Sequence, residues 1–201
     1  MRRYGQNYGG EINLQVVNVV YVAHCLLKNK LTGASNIVDA TAGKGKDTLF
    51  LAQNSGLDAE IWAFDIQESA LDVTKRLLEQ HHVSNKVRLI LDSHANIHQY
   101  IKKPIDIAMF NLGYLPGGSH EVATHSSSTL EAVEQVLRLL NHGGLLSLVA
   151  YPGHEEGQRE NTLLQQVFSG LPTRCFTVSK WEMINHFNKP PIFYLIEKVR
   201  N

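Results

Sequence analysis

Cysteine is scarce in this 201-residue chain: there are two, Cys25 and Cys175, and neither stands in a CxxC pair. That excludes a disulfide framework and a thioredoxin-type redox motif, and it predicts two buried, reduced thiols. No apolar run approaches the roughly 18 residues that a membrane helix needs. The start, Met1-Arg2-Arg3-Tyr4-Gly5-Gln6-Asn7, is polar with no apolar signal core behind it. These absences predict a cytoplasmic chain with no membrane partner. An excess of either charge is missing too, since 19 Lys and Arg balance 19 Asp and Glu. A wholly polycationic surface is thereby excluded, but a nucleic-acid partner is not, because a local patch suffices. No repeat, low-complexity tract or charge run marks a linker, so one domain is expected over residues 1–201, with 1–35 a helical segment and 36–201 the core. Ten histidines are many for this length. No pair forms HExxH and no Cys–His set has zinc-finger spacing, so no metal site is expected.

What is present is a rhythm of short apolar runs alternating with longer amphipathic segments. Residues 16–27 read as an opening helix. Strands are expected at 36–41, 60–65, 86–91, 105–111 and 145–151, with helices at 47–54, 67–82, 130–140 and 161–168 between or after them. His81-His82 closes one helix, where imidazole complements the C-terminal dipole. Asn141-His142-Gly143-Gly144 reads as the C-cap of another. Two last strands, 175–181 and 192–199, have no helix between them. Alternating strands and helices imply right-handed crossovers and a parallel sheet covered on both faces. The fold class is therefore α/β: a doubly wound, mostly parallel, seven-stranded sheet with a reversed, antiparallel edge.

Ligands of such sheets bind outside the carboxyl ends of the strands. After the first strand comes Asp39-Ala40-Thr41-Ala42-Gly43-Lys44-Gly45-Lys46-Asp47-Thr48. Gly43 and Gly45 let the backbone turn sharply and approach a ligand, and the next helix aims free N–H groups at it; an ordinary tight turn would use the same residues. Asp65, followed by Gln67, ends the second strand, where a carboxylate can accept both ribose hydroxyls or simply cap the next helix. Asp92-Ser93-His94 ends the third strand, suited to an adenine edge or to a turn. Asn111-Leu112-Gly113-Tyr114-Leu115-Pro116-Gly117-Gly118 ends the fourth, with a polar Asn directly after an apolar run.

Taken together, these loops resemble those of class I S-adenosylmethionine-dependent methyltransferases, over roughly residues 36–199. The resemblance implies a Rossmann-like methyltransferase fold with S-adenosylmethionine as cofactor. It assigns cofactor binding to Asp39, Thr41, Gly43, Gly45, Asp47, Thr48, Asp65, Gln67, Asp92, Ser93, His94 and Asn111. Thr41 departs from the usual first glycine of the motif. The loop at Asn111, with the segment around Asp47-Thr48-Leu49-Phe50-Leu51-Ala52, is similar to one small bacterial family long labelled as rRNA methylases. Its characterised activity is N-methylation of 5-aminomethyl-2-thiouridine at the tRNA wobble position. The partner implied is a tRNA anticodon loop. The implied catalytic residues are Asn111 and Tyr114, with His154 among the candidates for the amine proton beside His24 and His94.

His24 lies in an apolar helix, where a satisfied core histidine is the plainer expectation. Ser126-Ser127-Ser128-Thr129 opens a helix, where hydroxyl caps are expected and a phosphate could sit. Basic residues occur in short groups: Arg2-Arg3, Lys28 with Lys30, Lys102-Lys103, Lys180 and Lys189. Tyr114, Trp181 and Phe187 are candidate base stackers, and residues 181–191 a candidate substrate loop. A homodimer is compatible with so large a substrate. The alternatives are an rRNA or small-molecule amine methyltransferase, an NAD-dependent dehydrogenase, and a catalytically silent RNA-binding module. The dehydrogenase is disfavoured by Lys46 where a third glycine would stand, and the silent module by intact Asp65, Asp92 and Asn111.

Overall fold

A computed structural model describes residues 18–113 and 126–200. Seven strands, β1 (Asn36–Asp39), β2 (Glu60–Asp65), β3 (Val87–Leu91), β4 (Ile105–Asn111), β5 (Leu140–Ala150), β6 (Phe176–Trp181) and β7 (Ile192–Lys198), form one sheet in the order β3-β2-β1-β4-β5-β7-β6. The first five pair in parallel. β7 runs antiparallel to both β5 and β6, so the expected reversal is present, with the reversed strand one place in from the edge. The helices are α1 (Val19–Leu31), α2 (Lys46–Asn54), α3 (Glu68–Gln80), the single turn α4 (Ile97–Tyr100), α5 (Ser126–Leu139) and α6 (Glu155–Ser169).

Period-two side-chain alternation explains why both faces are apolar. Along β4, Ala108 and Phe110 join Val38, Leu146 and Leu148 under α5 and α6. Ile107 and Met109 join Ile37 and Ile61 under α1, α2 and α3, against Leu27, Leu51 and Leu78. Each fully buried Leu, Ile or Phe contributes roughly 1.5–3 kcal/mol. A polar exception sits between α5, α6 and β7: Thr129 donates to Glu160 Oε1 at 2.7 Å, and Tyr194 donates to Asn161 Oδ1 at 2.9 Å. Burial raises the Glu160 carboxyl above its usual range. None of this cluster was expected.

Several boundaries differ from the sequence expectation. α5 begins at Ser126, and α6 begins at Glu155, six residues before the expected start at 161. Asn141-His142-Gly143-Gly144 does not cap α5. It lies within β5, where the pairing jumps from Ile105↔Leu140 to Ile107↔Leu145, and Gly143 at φ +70° takes up the bulge. α3 ends at Gln80, so that His81 is its C-cap and His82 adopts φ +56°. The expected buried thiols are corrected as well. Cys25 is exposed and Cys175 only half-buried, because α1 turns Ala23 and Leu27 inward and carries Cys25 on the opposite side.

Candidate active site

The strand order reverses between β1 and β4, and the residues singled out after the strands meet there. Asp39 ends β1 fully buried. Its Oδ2 accepts from the Thr48 hydroxyl at 2.6 Å and its Oδ1 from the Thr41 amide at 3.1 Å. Burial, with repulsion from Asp47 next, pushes its carboxyl up to about 7, and only those two neutral hydrogen bonds pull it down. A buried carboxylate left so poorly compensated favours a positively charged neighbour.

The glycine loop is tied to the second strand. Gly43 N–H donates to Asp65 Oδ2 at 2.8 Å, and Gln67 N–H to Asp65 Oδ1 at 2.9 Å. Gly45, at φ +79°, is the N-cap residue of α2. A Cβ on Gly45 would lie 2.9 Å from the Cα of Thr74, so glycine is required there twice over. Thr74 in turn donates to the Gly43 carbonyl at 3.0 Å. Asp65 thus fixes the loop with one lone pair on each oxygen and keeps the others.

After β3, Asp92 accepts from Ser93 N–H, Asn96 Nδ2 and the Tyr100 hydroxyl. Burial alone would raise its carboxyl, but these three hydrogen bonds hold it below its usual range. Ser93 caps the next turn by accepting from Ala95 N–H at 3.2 Å. His94 is buried beside them. Its Nδ1 lies 3.1 Å from the Ala40 carbonyl, which can only accept, so Nδ1 carries the proton and Nε2 is a bare acceptor. Burial lowers its pKa, which keeps the ring neutral. Nε2 is buried with no hydrogen-bond partner.

Asn111 ends β4 and is held at three points. Its N–H donates to Thr41 Oγ1 at 2.8 Å, its Nδ2 to Asp47 Oδ2 at 3.0 Å, and its Oδ1 accepts from the Tyr151 hydroxyl at 2.8 Å. Thr41 therefore has a specific use where the usual motif has glycine. Asp47 Oδ1 accepts from His24 Nε2 at 2.8 Å, and the His24 ring lies flat on Phe50, with centroids 3.7 Å apart and planes within 2°. Burial, then the Asp47 charge, raise the Tyr151 phenol above its usual range, so it stays a donor.

All twelve residues assigned to cofactor binding thus lie at or just after the carboxyl ends of β1 to β4, Asp47 and Thr48 in the first turn of α2. Tyr114 lies outside the described residues, as do Arg2-Arg3. His154 stands apart from Asn111 in role: its Nδ1 accepts from Gly157 N–H at 3.1 Å and caps α6. Tyr151 was not foreseen as the partner of Asn111. Its signal was the position directly after β5, beside β4 in the sheet. His24, expected as a satisfied core histidine or a candidate for the amine proton, is part-buried and has its Nε2 on Asp47 Oδ1. Among the described residues no group of three or more His, Cys, Asp or Glu could hold a metal ion, and no helix is long and apolar enough to cross a membrane.

Comparisons with known proteins agree with this geometry. The sequence profile of the family described as "Putative rRNA methylase" matches residues 61–197, a span that includes Asn111 and Tyr151 but not the glycine loop. The chain is 33% identical over 187 residues to the tRNA (mnm(5)s(2)U34)-methyltransferase, chloroplastic, of Arabidopsis thaliana, covering 88% of this chain and 68% of that protein. It superposes on a crystal structure of a "putative rRNA-methylase" from Clostridium thermocellum with a TM-score of 0.87 at 36% identity, covering 90% of this chain and 97% of that one. A "putative methyltransferase" from Streptococcus mutans in complex with SAH gives a TM-score of 0.82 at 36% identity, covering 90% and 98%.

Proposed function

The chain belongs to the rRNA methylase family of methyltransferases, and from that premise we propose that it N-methylates the aminomethyl group of 5-aminomethyl-2-thiouridine at the tRNA wobble position, with S-adenosylmethionine as cofactor. The observation that carries the reading is Asn111: a neutral amide at the end of β4, clamped by Asp47 and Tyr151, with one lone pair of Oδ1 still to give. The relative from Arabidopsis, named for mnm(5)s(2)U34, supports tRNA as the substrate.

The residues present fit the cofactor. Asp39 is a poorly compensated buried carboxylate beside the loop turned by the left-handed Gly43 and Gly45, which suits a cationic methionine end. Asp65 retains acceptor capacity for ribose hydroxyls, and the buried, unpartnered His94 Nε2 can accept from a ligand N–H or O–H. Asp47 and Thr48 stand in the first turn of α2 behind that loop, Thr48 holding Asp39 and Asp47 holding Asn111, with Gln67, Asp92 and Ser93 shaping the turns on either side. When bound, S-adenosylmethionine supplies an electrophilic methyl on a positively charged sulfur.

The chain's own part is positioning. The substrate amine arrives protonated near neutral pH and must lose a proton before its nitrogen can form the new N–C bond. Asn111 Oδ1 and the Leu112 carbonyl accept hydrogen bonds from the neutral amine and aim its lone pair. Neither can hold a full proton, so the proton leaves to solvent and the two acceptors orient the neutral amine that remains. Leu112-Gly113 stand where amino-group methyltransferases carry two prolines. Tyr114 follows Gly113 in the sequence and is assigned to the base. The anticodon loop would be gripped by the end of β6 and the segment after it, where Trp181, Ile184 and Phe187 are exposed, with Lys180 and Lys189 for phosphates.

The test is transfer of labelled methyl to tRNA from cells deleted for this gene, followed by digestion and nucleoside mass spectrometry. Conversion of 5-aminomethyl-2-thiouridine to its methylaminomethyl form is expected. Methyl appearing only in ribosomal RNA would favour the second reading, which the family's description supports.

A further inference from the structure

An amide presents its oxygen and its NH2 at nearly the same place, and only its partners decide which end faces a substrate. For Asn111 the choice matters, since Oδ1 accepts from an amine and Nδ2 does not. Tyr151 cannot make that choice, because a hydroxyl donates or accepts with equal ease. The Asp47 carboxylate can, because it only accepts: Oδ2 at 3.0 Å compels Nδ2 to face it. Asp47 is in turn held from its other side. Its Oδ1 takes the His24 Nε2 proton at 2.8 Å, with side-chain exposures of 9% for Asp47 and 24% for His24. The stack on Phe50, one turn along α2 from Asp47, fixes the imidazole plane.

The four residues lie on separate pieces of the fold. His24 comes from α1, before the sheet begins; Asp47 from the first turn of α2; Asn111 from the end of β4; Tyr151 from the residue after β5. No sequence-local reason puts a histidine of an otherwise apolar helix against a carboxylate 23 positions later. Both oxygens of Asp47 are engaged within the protein, one by each neighbour.

We infer that His24 and Asp47 are positioning residues that hold the Asn111 amide with Oδ1 toward the substrate amine, so that α1 completes the site from outside the Rossmann-like core. This rests on the proposed amine methylation. His24 fixes the place of Asp47, Asp47 fixes the sense of the amide, and Tyr151 steadies the oxygen so presented.

Three variants test it in the full-length chain: Asp47→Asn, which can face Asn111 either way; His24→Ala; and His24→Gln, whose amide restores a donor near Nε2. Turnover on tRNA, SAH affinity and NMR exchange of the Asn111 side-chain amide protons are read together. Asp47→Asn should lower kcat about 100-fold, as expected for a misplaced acceptor. His24→Ala should lower kcat about tenfold, the worth of one hydrogen bond to a charge, and His24→Gln should recover most of it. KM for tRNA and SAH affinity should stay within about threefold, because orientation and not binding is lost. In the free chain, Asn111 amide exchange should quicken in Asp47→Asn and His24→Ala and not in His24→Gln. Unchanged exchange in both variants overturns the inference. So does a loss of SAH affinity beyond about tenfold in Asp47→Asn, which would make Asp47 a cofactor ligand. If the wild-type chain methylates no tRNA nucleoside, the substrate reading fails, and the exchange measurement still decides the positioning.

Discussion

The Asn111 amide nitrogen reaches the Asp47 carboxylate across 3.0 Å and sixty-four positions of sequence. That contact ties the end of β4 to the first turn of the helix behind the glycine loop. Replacing Asn111 by Ala removes the acceptor and strands the Asp47 oxygen and the Tyr151 hydroxyl. Single-turnover methyl transfer should fall about 10²–10³-fold, the usual cost of one preorganised polar group. The orphaned partners should cost about 1–3 kcal/mol in stability, read as a fall in Tm.

Tyr151→Phe should be milder. The phenol hydrogen bond to Asn111 Oδ1 at 2.8 Å is lost while the ring packing stays. A drop of roughly 3- to 10-fold in kcat, with a stability loss near 1 kcal/mol, is expected. Burial and the Asp47 charge keep the phenol protonated, so its ionisation should leave no step in the pH–rate profile of the wild type below the usual tyrosine range. Equal kcat in variant and wild type would remove Tyr151 from the site.

Gly45→Ala combines a left-handed backbone at φ +79° with a Cβ only 2.9 Å from the Thr74 backbone. A loss of about 2–4 kcal/mol is expected by thermal or urea unfolding. Because the Thr74 Cα is among the atoms struck, the double variant with Thr74→Ala should not recover it.

Asp39 sets a pH dependence whose sign is fixed by its raised pKa. The folded chain keeps the proton up to about 7, whereas an unfolded Asp releases it near its ordinary 3.8. Between those values the folded state binds more protons, so this contribution to stability is full below 3.8 and declines as pH rises to about 7, flat above. Asp39→Asn should remove that decline in the free chain while weakening S-adenosylmethionine binding at pH 8. A decline of the same size in Asp39→Asn would assign it to another group.

Phe187 is fully exposed on the segment that joins β6 to β7, and Trp181, the last residue of β6, is 41% exposed. The pairing of Ala150 with Ile192 and of Trp181 with Phe193 brings that segment to the same end of the sheet as Tyr151. Phe187→Ala should raise KM for tRNA about tenfold, within the range of a lost base stack, with SAH affinity and Tm unchanged. A change in SAH affinity instead would tie the segment to the cofactor.

Much of the fold was legible because it follows from local periodicity. Runs such as Leu145-Leu146-Ser147-Leu148-Val149-Ala150 are too apolar for a half-exposed strand, and all of these residues except Leu145 and Ser147 prove to be core side chains buried to 0% exposure. Asp39, Asp65, Asp92 and Asn111 were found because a polar residue closing an apolar strand stands out in one dimension. The bulge at Gly143 was misread, since a left-handed glycine serves a C-cap and a bulge alike and only the strand across from it decides. The side of α1 that carries Cys25 was misread for a similar reason: an apolar helix does not say which stripe will be covered.

The sequence by itself determined the α/β alternation, the polar residues that close the strands and the glycine loop, because each is written in residues close together along the chain. Only the tertiary structure decided what those residues do to one another. His24, Asp47, Asn111 and Tyr151 span four elements, and whether they touch depends on how α1 packs over α2 and how β5 lies beside β4. A hydrogen bond needs donor and acceptor within about 3 Å, a condition that composition and spacing leave open and packing settles.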